Sequence, residues 1–420
     1  MRRLLIDCTR TVRANLHTGI QRVVRQTLYA ASALAARGEA VPVVPVVCEH
    51  GRFTPLAHLA PHPFEGPRRA LAVSAGTQPP GPGDVLLLAD AAWYVDDIAP
   101  AIRRARNGGA CVVPVVHDLI SIQHPEWFDT GVGARFAAYL EAVLPLAGMA
   151  VCVSRATREA LYDWLRGHAD PSVQRLAATL PCQVNHPGAD GVDAALAVHA
   201  SPAVRAAFAR EDGETCVIQV GSIEPRKQHA LVLDAFEQAW ESGATLRLVL
   251  IGSHGWKTAG FAGRVARHPE LGRRLFHLQR VADADLAWAY RSADASVHAS
   301  AIEGFGLPVA ESGHHGMPVL LSDTPIHREV GGPLASYFPQ HDAAALAGLL
   351  ESLAGERRAE REFEPGWAIA AGHRGWAQST RALLQLLARA DRPGTGTAFR
   401  SDAGTDARTD AEEEPECLPL

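Results

Sequence analysis

The sequence predicts an α/β protein made of two Rossmann-like, doubly wound parallel-sheet domains facing a central cleft. Three observations predict it. Short apolar runs alternate with stretches of helical periodicity, the pattern of a parallel sheet with crossover helices. The runs are nearly continuously apolar, as in strands buried on both faces. The pattern starts afresh near residue 215, and 420 residues exceed what one such core holds.

The elements follow in chain order. Strands are expected at 4–8 (LLIDC), 41–48, 84–90, 111–118 and 149–154. Residues 19–37 repeat apolar side chains at helical spacing and end before Gly38, a C-terminal cap. In the second half, strands are expected at 216–222, 246–253, 276–279, 295–300 and 319–323. A helix over 228–242 carries Val232, Phe236 and Trp240 on one face. The Ala-rich segment 191–213 reads as the linker. The domains are thus 1–195 and 210–375, with a C-terminal helix over 376–391 packing back toward the first domain. Six prolines and four glycines in 61–83 mark an exposed loop. Residues 392–420, poor in apolar side chains and rich in Gly, Thr, Asp and Glu, read as a disordered acidic tail.

Composition narrows the function classes. A net charge of −6 and 6% aromatic residues argue against a nucleic-acid partner. Seven cysteines without CxxC spacing fit buried thiols in a reducing compartment. The start MRRLLIDCTR is too short and polar for a signal peptide, and no apolar run approaches about 18 residues. A cytoplasmic protein is expected.

Four segments carry chemistry, each at the carboxyl end of an expected strand, where open parallel sheets bind ligands. The first is SAIEGFGLPVAESG, residues 300–313, with Glu303 and Glu311 separated by seven residues. Gly304 and Gly306 lie in the turn and Leu307-Pro308 opens a helix. Free backbone N–H groups at such a turn suit a phosphate, and acceptor-only carboxylates suit paired hydroxyls of a sugar or ribose. The second is VGSIEPRKQH, residues 220–229, where adjacent Arg226 and Lys227 suit a diphosphate. An isolated Arg-Lys pair is more often a solvated loop; its position is what favours a ligand. The third is Thr18-Gly19, opening the first long helix, where Gly19 allows close backbone approach to a ligand. It is not GxGxxG, so a dinucleotide has little support. The fourth is His117-Asp118, where the imidazole would donate to substrate or simply cap the strand edge. No HExxH, GxSxG or P-loop occurs, and no metal site is expected.

In this order the segments resemble the retaining glycosyltransferases of family 4, which have the GT-B fold. The resemblance covers about residues 1–390 and is most specific in 216–330. TGIQRVVR, HDLISIQHPEWF and CVSRATREAL are similar to bacterial mannosyltransferases of polysaccharide and O-antigen assembly. The resemblance implies roles. Arg226 and Lys227 would hold the donor diphosphate, and Glu311 the ribose. Glu303 would hold the donor sugar, with the backbone of Gly304, Phe305, Gly306 and Leu307 beside it. His117 would stand near the anomeric carbon, Gly19 near the phosphates or acceptor, and Val281 near the base. It further implies retention, no divalent metal and no cofactor beyond a nucleotide-sugar donor, GDP-mannose first. The acceptor would be a saccharide or lipid-linked saccharide. DAD at 283–285 reads as a helix cap.

Two alternatives stay open: a nucleotide-sugar epimerase on the same fold, and a non-catalytic binding or scaffold subunit. Arg2, Arg3, Arg10, Arg13, Arg22 and Arg25 crowd the N-terminus. They form either an ordinary solvated face or a basic patch for peripheral contact with the cytoplasmic face of the inner membrane.

Overall fold

The computed structural model describes residues 1–14, 18–56, 78–355, 372 and 374–390. The expected acidic tail and most of the 61–83 loop lie outside the described residues.

Two sheets form. The first contains β1 (Arg3–Asp7), β2 (Val43–Glu49), β3 (Arg52–Pro55), β4 (Asp84–Leu88), β5 (Cys111–Val116), β6 (Ala150–Cys152) and β7 (Cys182–Val184). Its order is β3-β2-β1-β4-β5-β6-β7, parallel except for the β2–β3 hairpin. The second contains β8 (Thr215–Val220), β9 (Leu246–Ile251), β10 (Leu275–Leu278), β11 (Ala295–His298), β12 (Val319–Ser322) and β13 (Ser336–Phe338). Its order is β10-β9-β8-β11-β12-β13. The strand order reverses at β1/β4 and at β8/β11, the points where such sheets open a crevice.

Each sheet is covered on both faces. In β1, Leu4 and Ile6 face one layer with the helix Gly19–Ala36, while Leu5 faces the other. The period-2 alternation of a strand requires this split. In the second domain, Val232, Phe236 and Trp240 of the helix His229–Glu241 pack with Leu248 and Leu250. The C-terminal helix Trp376–Ala390 buries Leu383, Leu384 and Leu387 against Leu4, Ile6 and Val24 of the first domain.

The edge strands β3, β7 and β13 escaped the sequence reading. They are three or four residues long, too short for periodicity to register. The β2–β3 turn places His50 and Gly51 at φ 49° and 67°, the left-handed pair of a tight hairpin. The expected linker is also better built than its composition suggests. Ala194–His199 and Pro202–Phe208 are helical. Val192, Ala197, Val204 and Phe208 are buried with Ile218 and Val249 of the second sheet. Their apolar spacing was diluted by surrounding alanines.

Among the described residues no helix is long and apolar enough to cross a membrane. Nor do the N-terminal arginines form one exposed patch. Arg3 pairs with Asp84, Arg13 donates to the Cys48 carbonyl at 2.5 Å, Arg25 is buried and Arg22 reaches the opposite domain.

Candidate functional site

The turns after β8 and β11 meet because these strands are neighbours. After β8, Pro225–Lys227 forms one 3₁₀ turn and Gln228 takes φ 51°, ψ 42° to enter the next helix. Asn would tolerate that left-handed backbone better than Gln does. After β11, Glu303 lies in the turn and Gly306, at φ 91°, precedes the helix Leu307–His314. Only glycine adopts that angle without cost.

Glu303 is the centre of this cluster. Arg226 Nη1 meets its Oε2 at 2.5 Å and Lys227 Nζ its Oε1 at 2.5 Å. Ser300 Oγ donates to the same Oε1 at 2.7 Å. Arg226 Nε also meets Glu224 Oε2 at 3.0 Å. Only 8% of the Glu303 side chain is exposed. Burial alone would raise its pKa, but the two cations hold it far below the usual carboxylate range. Arg226 and Lys227 are thereby preorganised on one shared carboxylate. Burial pushes the neighbouring His229 and His298 down to about 3, so they add no charge here.

Glu311, one turn into its helix, is 3% exposed. Tyr290 Oη donates to its Oε2 at 2.8 Å and Arg22 Nη1 to its Oε1 at 2.6 Å. Arg22 Nη2 also reaches Asp283 Oδ1 at 3.0 Å. Asp285 of the same DAD run accepts from the Ala282 N–H, the expected capping role. His315, just past the end of the helix that carries Glu311, stacks on Tyr290 with ring centroids 4.9 Å apart.

The first domain closes over this cluster. His117 follows β5 and its Nε2 bonds the Ala89 carbonyl at 2.8 Å. Burial lowers its pKa, so the ring is neutral and, with Ala89 accepting, Nε2 carries the proton. Its own carbonyl oxygen lies where a β-carbon on Gly304 would sit. The Gly304 carbonyl in turn accepts from Ser154 Oγ at 2.6 Å and Thr157 Oγ1 at 3.0 Å. Gly19 begins its helix 3.8 Å (from a built β-carbon) from Leu307 Cδ1. Phe305 is buried between the domains with Val153 and Val309, its ring 5.4 Å from His186.

Thus His117, Gly19, Arg226, Lys227, Glu303, Gly304, Phe305, Gly306, Leu307 and Glu311 converge. Val281 lies in the hydrophobic layer with Phe276 and Leu278, two residues before Asp283, which shares Arg22 with Glu311. Sequence reasoning missed Arg22, Tyr290, Asp283, Glu224, Ser154 and Thr157. It named Asp118 beside His117 but gave it no role; the Asp118 carboxylate feels the charge of Arg226. Adjacency to His117 was the one available signal; the others need the fold.

Residues 201–365 match the family model for glycosyl transferases group 1. Over 397 residues, 92% of the chain, the sequence is 29% identical to a serotype-specific mannosyltransferase WbdA of Escherichia coli, of which it covers 45%. It is 31% identical over 164 residues to an O-antigen chain mannosyltransferase B of Escherichia coli, covering 39% of the chain and 40% of that protein. The chain spans about half the length of the curated relatives it matches. Among solved structures, Anabaena Alr3699/HepE in complex with UDP and glucose superposes with a TM-score of 0.60 at 14% identity, covering 93% of this chain and all of that one. Sucrose-phosphate synthase from Thermosynechococcus elongatus gives 0.58 at 18% identity, covering 92% and 95%. These likenesses establish the fold as the two-domain GT-B arrangement.

Proposed function

We propose that this chain, which has the GT-B fold and whose residues 201–365 match the model for glycosyl transferases group 1, transfers mannose from GDP-mannose to a saccharide or lipid-linked saccharide acceptor in O-antigen or related polysaccharide assembly. Transfer proceeds with retention and without a divalent metal. The observation that carries this reading is the shared carboxylate of Glu303, held by Arg226 and Lys227 at the switch point of the second sheet. Mannose and the O-antigen pathway rest on what the similar Escherichia coli proteins are named for.

The chemistry follows from charge. The donor diphosphate draws Arg226 and Lys227 from Glu303, which then accepts hydroxyls of the sugar. The bond between the anomeric carbon and the β-phosphate oxygen breaks, and the electron pair leaves with the phosphate. The acceptor hydroxyl oxygen bonds the same face of that carbon and its proton passes to the departing phosphate oxygen. Preorganised cations stabilise the leaving group and supply the charge a metal would otherwise bring. The His117 Nε2–H, already committed to Ala89, points the ring rather than titrating. Closure of the domains around Gly304 excludes water and limits donor hydrolysis.

Thermal-shift titration with GDP, UDP and ADP and their sugar conjugates, with and without EDTA, tests the reading. Selective stabilisation by GDP and GDP-mannose, unchanged by EDTA and lost in Lys227→Ala, supports it. Preference for UDP removes the mannose donor. No shift with any nucleotide brings forward a scaffold subunit.

A further inference from the structure

Arg22 comes from the first turn of the helix Gly19–Ala36 in the first domain, yet its guanidinium ends in the second. Its two terminal nitrogens fork onto two carboxylates, Glu311 at 2.6 Å and Asp283 at 3.0 Å. Such planar bidentate contact is what Arg does best. With Tyr290 on the other oxygen, both oxygens of Glu311 are engaged. Gly191 lies beside the same carboxylate: a β-carbon there would stand 3.6 Å from Oε1. Glu311 is 3% exposed in this arrangement. A ribose diol reaching Oε1 would have to displace Arg22.

We propose that Arg22 sets the affinity of the nucleotide seat, as a plug across the cleft that the ribose hydroxyls must displace. This rests on the reading of Glu311 as the ribose carboxylate. Donor entry then requires the helix Gly19–Ala36 to release Glu311. Apparent affinity is the intrinsic affinity reduced by the fraction of molecules with the plug out. Asp283 is the second anchor, and weakening it loosens the same plug. Arg22 is thus a positioning residue for the second domain.

The test is calorimetric titration of GDP and UDP into the full chain, as wild type, Arg22→Ala, Arg22→Gln, Asp283→Asn and the Arg22→Ala/Glu311→Ala double variant. Arg22→Ala and Arg22→Gln bind about fivefold more tightly or better, and Asp283→Asn gains less in the same direction. The double variant loses the gain, because the seat itself is gone. Asp283→Asn leaves Glu311 paired with Arg22 and keeps the test informative should Arg22→Ala fail to fold. Equal or weaker binding in the single variants, with wild type binding normally, overturns the plug and leaves the donor reading intact. No binding of either nucleotide by any form overturns the donor seat, and the plug with it.

Discussion

Gly304 of the second domain lies directly against the backbone carbonyl of His117 in the first, with no space for a β-carbon between them. The two segments most charged with chemistry are therefore in backbone contact across the cleft. Ser154 and Thr157 fasten the same spot through the Gly304 carbonyl. The donor-side turn is registered against the first domain by sterics as well as by hydrogen bonds.

Gly304→Ala is expected to hold the domains apart at this point. Nucleotide binding, whose seat is built by the second domain, stays within a few-fold of wild type or tightens as Arg22 is drawn away from Glu311. Turnover falls by about 10²-fold or more, since small misplacements of reacting groups have that effect. Steady-state kinetics beside nucleotide titration checks this; equal losses in both would point to misfolding.

Lys227→Ala is expected to lower kcat by about 10²–10³, the typical loss on removing one preorganised charge from a transition state. Glu303→Gln removes the carboxylate both cations share. It leaves Arg226 and Lys227 for phosphate, so nucleoside diphosphate binds as well or better while sugar transfer drops. Comparing diphosphate affinity with kcat in both variants separates the roles.

Tyr290→Phe removes the hydroxyl that donates to Glu311 Oε2. A hydrogen bond to a charged group is worth about 1.5–3 kcal/mol. At that cost in stability, freeing the oxygen for a ribose hydroxyl is expected to raise nucleotide affinity a few-fold, with the stacked His315 ring still in place. Titration calorimetry reads the change directly.

Asp7, at the carboxyl end of β1, is fully buried and its pKa is raised to about 7 by burial and by the nearby Asp90 carboxylate. An unfolded Asp titrates near about 3.9. Between these values the folded chain binds the extra proton, so stability is highest below pH ~4 on this account and falls as pH rises through 7. Asp7→Asn is expected to flatten that slope. Denaturant midpoints measured from pH 5 to 8 check it; identical slopes in the two proteins would remove Asp7 as the source.

The two doubly wound sheets were legible in the sequence, because strands buried on both faces must be mostly apolar and β1, β4, β5, β8 and β9 are. It also marked Glu303, Glu311, Arg226 and Lys227, since a glycine turn between strand and helix constrains residue types locally. What only the tertiary structure decided is which charges answer one another. Arg22 reads from sequence as one of six N-terminal arginines available to solvent or lipid, yet it ends on a carboxylate 289 residues away. Asp7 and Asp90 belong to separate strand segments of the sequence, yet both are buried in the first domain close enough for Asp90 to raise the pKa of Asp7. Local pattern reports what a backbone segment must bury. The partner of a buried charge is set by how two domains, or two non-consecutive strands, come to lie side by side, and no spacing within one segment carries that information.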